Sequence, residues 1–252
     1  MDAVSFFLVQ HGSLHAAEVT GGRTYADSVF AGLTDAQMRT RAGKRLNSLA
    51  WLLWHMARTE DAAVNPVVAA RDQVLDEDWI RRMNVPQRTI GTGMTSDEVT
   101  AMSAHADIAA VRAYRSAVGR RTQEVVRALR PEAWDEIVEA PDIRRAAAAG
   151  AFRDWVEGVS YPWLGWTRAE QLASSALPEA AWEEIVGATD TGRAAAAGAF
   201  GPSTGWRADV GYTAWQDQSR AAAPDSIRPT FVTRLAGASP ECVNVLSKSW
   251  EL

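Results

Sequence analysis

The stretch of residues 46–61, LNSLAWLLWHMARTED, constrains the fold of this chain more than any other feature. Leucine, alanine, methionine and tryptophan dominate its first turns, and charged residues follow only near its end. A helix that is apolar all round is buried, whereas a surface helix keeps one polar face. The stretch therefore predicts a buried helix that Asn47 or Ser48 caps and that carries His55 into the interior. Pro66 is expected to kink or restart this helix.

Helical spacing of apolar residues recurs before and after this stretch. Residues 4–19 show the pattern, Gly21 and Gly22 interrupt it, and residues 25–31 resume it. The clearest amphipathic helix covers residues 107–129, where apolar side chains follow each other at intervals of three, four and seven. These segments predict several helices of the length found in bundles.

Helix start signals indicate where three more helices begin. Capping boxes, in which a threonine is followed three residues later by Gln or Glu, begin at Thr34, Thr95 and Thr167. Residues 85–95 carry a proline and two glycines and are expected to form a loop. The sequence contains no strand-like alternation of useful length. We therefore expect an all-α fold, an up-down helical bundle.

Charge and cysteine content argue against several classes of protein. The net charge of −5 and the pI of about 5.5 provide no basic surface for nucleic acid. Cys242 is the single cysteine, which excludes an intramolecular disulfide and a cysteine-based zinc cluster. No stretch approaches the roughly 18 uncharged apolar residues that span a membrane. The first residues lack the basic start of a secretory signal, so we expect a cytoplasmic protein.

A duplicated segment follows the helical part. PEAWDEIVEAPDIRRAAAAGAF and PEAAWEEIVGATDTGRAAAAGAF align with an offset of 48 residues, which pairs Trp134 with Trp182. Two copies are too few for a solenoid, which needs at least about three repeats. We therefore expect a duplicated segment of which one copy is redundant to the original fold. The chain is predicted to divide into a helical bundle of residues 1–177 and a duplicated segment with an irregular tail, residues 178–252.

Histidines supply the candidate metal ligands. His11 and His15 lie four residues apart on a predicted helix, the spacing by which one helix provides two ligands. His55 from the next long helix would complete a three-ligand site with an open position for water. In the alternative interpretation, His11 and His15 are partly exposed and His55 is a hydrogen-bonded core residue. His105, near a helix start, is expected to be solvated.

Acidic residues and nucleophile motifs provide weaker evidence for a functional site than the histidines do. Glu60 follows His55 by five residues and does not share its helix face closely. It is expected to form a surface salt bridge with Arg58 or Arg71. No phosphate-binding glycine loop and no nucleophile elbow occurs, so no catalytic residue is identified from motifs.

Four stretches together are typical of one family: residues 32–38, 46–61, 90–95 and 114–122. Over about residues 5–177 the chain resembles the DinB-like (DinB/YfiT-type) enzymes. The resemblance implies a four-helix bundle, often a homodimer, in which three ligands hold a divalent metal, zinc or nickel. It also implies a thiol-using transferase or isomerase of the mycothiol or bacillithiol type. The metal would make a bound thiol or water a better nucleophile.

The resemblance also assigns individual residues. His55 matches the family ligand that the second bundle helix contributes. The other two family ligands come from a His-x-x-x-His-like motif on the last helix, and residues 165–177 resemble the lead-in to that motif. In this chain the duplicated segment follows, and no histidine occurs between it and the C-terminus. By family position, Arg168 lies near the cleft mouth, where it would contact a cofactor.

Three hypotheses for function follow. In the first, His55 binds a metal with His11 and His15, and the protein is a metal-dependent transferase or hydrolase that acts on a small molecule. In the second, the metal site is lost and the bundle is a non-catalytic binding or dimerisation module. In the third, the duplication has displaced the native last helix and compromised the fold.

Overall fold

A computed structural model describes residues 2–22, 24–41, 46–153 and 163–177 of the chain. The helices of this part are α1 (Ala3–Leu14), α2 (Ala17–Thr20), α3 (Tyr25–Val29), α4 (Asp35–Arg39), α5 (Leu49–Ala62), α6 (Glu77–Met83), α7 (Ser96–His105), α8 (Ile108–Ala128), α9 (Ala140–Ala148) and α10 (Arg168–Ala176). A 3-10 turn covers Pro131–Asp135. Where the structure describes the chain, β-pairing is limited to one bridge between Ile137 and Thr167. The predicted all-α class is confirmed, whereas the predicted irregular tail and the second copy of the duplicated segment lie outside these residues.

The buried helix predicted from residues 46–61 is α5. Ser48 caps it by accepting a hydrogen bond from the Trp51 N–H at 3.0 Å. Every residue of α5 except Thr59 is buried, and the Trp54 side chain is fully enclosed. This burial follows from the composition, since a helix without a polar face is stable only inside the core.

Helical structure continues past the end of α5 and includes Pro66. A π-helical turn, Ala63–Val68, directly follows Ala62 and contains this proline. Proline lacks an N–H and disturbs the regular hydrogen-bond ladder of an α-helix. The Arg145 Nε–H, from α9, donates to the Pro66 carbonyl oxygen at 3.0 Å. The wider turn therefore accommodates Pro66, and a distant side chain hydrogen-bonds its carbonyl.

Local start signals place four helices, α4, α7, α8 and α10, as predicted. Reciprocal capping boxes at Thr34, Thr95 and Thr167 begin α4, α7 and α10. Asp107 caps α8 by accepting from the Ala110 N–H at 2.8 Å. These interactions join residues three apart, so they depend on the local sequence and hardly at all on the tertiary fold.

The first predicted helix is divided in two. α1 ends at Leu14, and His15 adopts an extended conformation, with φ −86° and ψ 169°, before α2 begins at Ala17. The His15 N–H still reaches the His11 carbonyl oxygen at 3.2 Å. The break turns the chain while both imidazoles stay in the interior, where His11 and His15 are fully buried.

The helices α1, α5, α8 and α10 form the bundle. α5 packs against both α8 and α10, and α8 also contacts α1. Phe7 of α1, Val126 of α8 and Leu172 of α10 lie in one apolar cluster. None of the helices in the described ranges has both the length and the apolar character that a membrane crossing requires.

A buried polar network ties α5 to the loops beside it. The Asp61 carboxylate accepts from the Val74 and Leu75 N–H groups at 2.8 and 2.9 Å and from the Tyr114 hydroxyl at 2.5 Å. Arg58 donates to the same carboxylate at 3.1 Å and to the Arg88 carbonyl oxygen at 2.6 Å. Burial raises the pKa of Tyr114 well above its usual value, so its hydroxyl remains a donor. The network holds residues 73–75 and 88 against α5.

Candidate metal centre

Three side chains from two helical segments meet inside the bundle. His11 lies on α1, His15 follows the end of α1, and Glu60 lies on α5. His11 Nε2 is 2.9 Å from Glu60 Oε1, and His15 Nε2 is 3.1 Å from Glu60 Oε2. One ligand atom from each residue lies within 4.8 Å of the other two, and no other set of three His, Cys, Asp or Glu residues in the described ranges has this spacing. We call this set the His–His–Glu triad.

Burial and neighbouring charges shift the pKa values of two triad residues, His15 and Glu60. His11 and His15 are fully enclosed, and Glu60 is 3% exposed. Burial, together with the nearby Arg115 charge, lowers the pKa of His15 to about 3. Burial alone would raise the pKa of the Glu60 carboxyl, but the two histidines outweigh it and hold that pKa well below its usual range. At neutral pH the triad therefore contains a neutral His15 imidazole and an ionised carboxylate.

Neighbouring side chains hold the triad in place. The His11 and His15 rings lie 4.2 Å apart between centroids, and Phe7 stacks on His11 at 5.4 Å. The Thr122 hydroxyl of α8 donates to Glu60 Oε1 at 2.6 Å. Three bundle helices, α1, α5 and α8, thus converge on one carboxylate.

The donor set and the spacing of the triad fit a divalent metal ion. Two imidazoles and one carboxylate form the ligand set of one class of catalytic zinc site. With zinc bonds of about 2.0–2.1 Å, neighbouring ligand atoms lie about 2.9 Å apart at right angles and about 3.3 Å apart in a tetrahedron. The separation of 2.9 Å between His11 Nε2 and Glu60 Oε1 and that of 3.1 Å between His15 Nε2 and Glu60 Oε2 both fall in this range. Metal ligation also requires neutral imidazole and ionised carboxylate.

Both histidines of the triad carry an unsatisfied nitrogen. The Nδ1 atoms of His11 and His15 are buried and have no hydrogen-bond partner among the described residues. A carboxylate only accepts hydrogen bonds, so without a metal each Nε2 donates to Glu60 and each Nδ1 has no partner among the described residues. A metal bound to each Nε2 would leave each Nδ1 equally unpaired, so these two atoms do not distinguish the metal-bound from the metal-free state.

His55 does not complete the predicted trio with His11 and His15. It lies five residues before Glu60 on α5, which places the two side chains about 140° apart around the helix. The His55 Nδ1 atom is 2.5 Å from the Ile90 carbonyl oxygen, and the ring stacks on Trp51 at 4.5 Å. Glu60 thus takes the position that the sequence interpretation gave to His55. A backbone carbonyl on Nδ1 also orients many metal-bound histidines, so the family role of His55 stays a prediction.

The structure gives each of the remaining predicted residues other surroundings. Arg168 Nη1 is 2.7 Å from Glu136 Oε2 in a half-exposed ion pair, and its predicted cofactor contact stays a prediction. His105 is exposed at the end of α7, as expected. The prediction that Glu60 forms a surface salt bridge is wrong, because Glu60 is buried and paired with the two histidines.

One signal in the sequence does point to Glu60. Glu60 and Asp61 stand between the apolar stretch of α5 and a second apolar stretch, residues 62–68. Acidic residues with apolar sequence on both sides are expected to be buried and paired. Asp61 accepts a hydrogen bond from Arg58, and Glu60 accepts hydrogen bonds from the two histidines.

Comparison with known protein families identifies the superfamily of this chain. The DinB superfamily matches residues 18–159, more than half of the chain, so the protein belongs to the DinB superfamily. Among solved structures, the chain is similar to a conserved protein from Enterococcus faecalis, with a TM-score of 0.48 and 16% identity over 75% of this chain and 91% of that chain. No curated protein matches the sequence significantly. His11 and His15 precede the matched residues, so their role rests on the geometry of this chain.

His55 makes stability depend on pH. Burial lowers its pKa to about 4, whereas an unfolded histidine titrates near 6.5. Between these values the unfolded chain binds the proton and the folded protein does not, so stability is full above about pH 6.5 and falls as the pH drops. We expect the metal-free wild type to lose about 2 kcal/mol more than His55→Gln between pH 7.5 and 5.0, measured by urea unfolding. Equal losses in the two proteins would refute the neutral buried state.

Proposed function

We propose that this protein is a metal-dependent enzyme of the DinB superfamily that holds a divalent ion, zinc or nickel, with His11, His15 and Glu60. The observation that carries the proposal is the triad itself, three buried donors of the right type at metal-ligand spacing. We further propose a transferase that uses a low-molecular-weight thiol. Bound at the triad, the metal would lower the pKa of a thiol or water ligand and thereby produce a nucleophile at neutral pH.

The charge balance around the triad favours an anionic ligand on the metal. Arg115 is 6% exposed, and although burial lowers its pKa to about 10, it stays charged at neutral pH. Both Glu60 and Asp27 act on this charge, so Arg115 does not cancel the Glu60 carboxylate alone. With two neutral imidazoles, a divalent ion bound to Glu60 would still leave a positive charge in a closed interior, which is unfavourable. A thiolate or a hydroxide ligand would remove that charge, and the proposed chemistry uses one of these two ligands.

Cobalt substitution tests both parts of the proposal. Metal-free protein in a Cys242→Ser background, which removes the single cysteine of the chain, is loaded with Co²⁺ and titrated with cysteine, glutathione or mycothiol. We expect visible cobalt bands that Glu60→Gln abolishes, and a sulfur-to-cobalt charge-transfer band when a thiol is added. Absence of the cobalt bands would refute the metal site and favour the non-catalytic binding module. Cobalt bands without a thiol band would refute thiol use and favour a hydrolase that activates water.

A further inference from the structure

Two residues of α8, Gly119 and Thr122, touch the triad without belonging to it. The Thr122 hydroxyl is 2.6 Å from Glu60 Oε1, and its side chain is fully buried. A Cβ atom built on Gly119 would lie 2.5 Å from His15 Nδ1 and 2.6 Å from Cε1. Residues three apart on a helix share a face, so both contacts come from one face of α8.

We propose that Thr122 and Gly119 are positioning residues for the metal centre, Thr122 by aiming the Glu60 carboxylate and Gly119 by leaving room for the His15 ring. This inference rests on the proposed function, because it takes the triad to be the metal site. Neither residue donates a metal ligand. Each acts through a ligand that another part of the chain supplies.

Thr122 acts on the oxygen that faces His11. Glu60 Oε1 is within hydrogen-bond distance of both the Thr122 hydroxyl and His11 Nε2, whereas Oε2 faces His15. A threonine in a helix often donates to the carbonyl oxygen of the preceding turn, but Thr122 donates to the carboxylate. Hydrogen bonds to ligating carboxylates fix their orientation, and losing such a partner typically lowers metal affinity 10–100-fold.

Gly119 acts by leaving room for the His15 ring. It lies inside the 21-residue helix α8, where glycine is less favourable than alanine. Real Cβ atoms do not approach other atoms to 2.5 Å, so an alanine at this position forces the His15 imidazole to move. The glycine thus weakens the helix locally, while it allows the ring to point at Glu60.

Zinc affinity, measured by competition with a chromophoric chelator, tests this inference. We expect Thr122→Val to bind zinc 10–100-fold more weakly than wild type and Thr122→Ser to stay within about threefold. Gly119→Ala is expected to weaken zinc binding at least as much as Thr122→Val. Thr100→Val, which alters an exposed threonine on α7, is the matched control and should bind zinc like wild type.

The outcomes separate this inference from the proposed function. If wild type binds one zinc ion and both Thr122→Val and Gly119→Ala bind it equally well, the positioning role is refuted and the metal site stands. If wild type binds no zinc, the metal site itself is refuted, and the inference falls with it. Thermal unfolding of the metal-free variants checks folding. Should Thr122→Val not fold, Gly119→Ala and the serine variant still decide the matter.

Discussion

Asp61→Ala is expected to lower the free energy of unfolding by about 3–5 kcal/mol, a large part of the 5–15 kcal/mol of a typical domain. The carboxylate is fully buried and accepts hydrogen bonds from Arg58, Asn65, Tyr114 and two loop N–H groups. Its removal leaves the buried Arg58 guanidinium without a negative partner. Urea or guanidinium unfolding of the metal-free protein measures the effect as a lower midpoint at unchanged slope.

Asp78→Ala is the matched control for Asp61→Ala. Asp78 pairs with Arg81 at 2.5 Å and with Arg82 at 3.8 Å, but all three side chains are about half exposed or more. Exposed ion pairs contribute about 0–1 kcal/mol, so this variant should unfold close to wild type. A loss of less than about 1 kcal/mol for Asp61→Ala would show that the network around Arg58 does not stabilise the bundle.

Glu60→Gln is expected to lower the affinity for zinc at least about 100-fold, which corresponds to about 2.7 kcal/mol of binding free energy. The substitution keeps the size of the side chain but removes the only negative charge among the three ligands. In a closed interior that charge strongly favours a divalent ion, and a neutral amide oxygen is a much weaker ligand. Chelator competition at pH 7.5 measures the loss.

Two further variants make the Glu60 result specific. Glu124→Gln makes the same chemical change at an exposed position of α8, 3.4 Å from Arg121, and should leave zinc affinity unchanged. His55→Gln should also retain one bound zinc, because His55 is not part of the triad. Loss of zinc from His55→Gln together with normal binding by Glu60→Gln would place the metal at the family position instead.

Local chemistry made much of the fold predictable from the sequence. The cap of α5 and the capping boxes at Thr34, Thr95 and Thr167 join residues three apart, so the sequence around each contains the whole interaction. The burial of α5 followed from its apolar composition. The break at His15 was not predictable in this way, because it depends on how the chain after α1 packs against α5 and α8.

The candidate site was predictable only in part. The spacing of His11 and His15 correctly predicted that the two rings face the same way. The third partner depends on the rotation of α5, and a difference of five residues separates His55 from Glu60 by about 140°. Periodicity shows which side of α5 is buried only when one side is polar, and α5 is buried on all sides. The sequence therefore indicated the correct helix but not the residue that faces the two histidines.

Anomalous X-ray scattering from a crystal of the zinc-loaded protein tests the central claim most directly. Data collected on either side of the zinc absorption edge locate the ion without assumptions about its ligands. We expect one anomalous peak per chain, within bonding distance of His11, His15 and Glu60. A peak at His55 with none at the triad, or no zinc peak at all, would contradict the claim that these three residues form the metal centre.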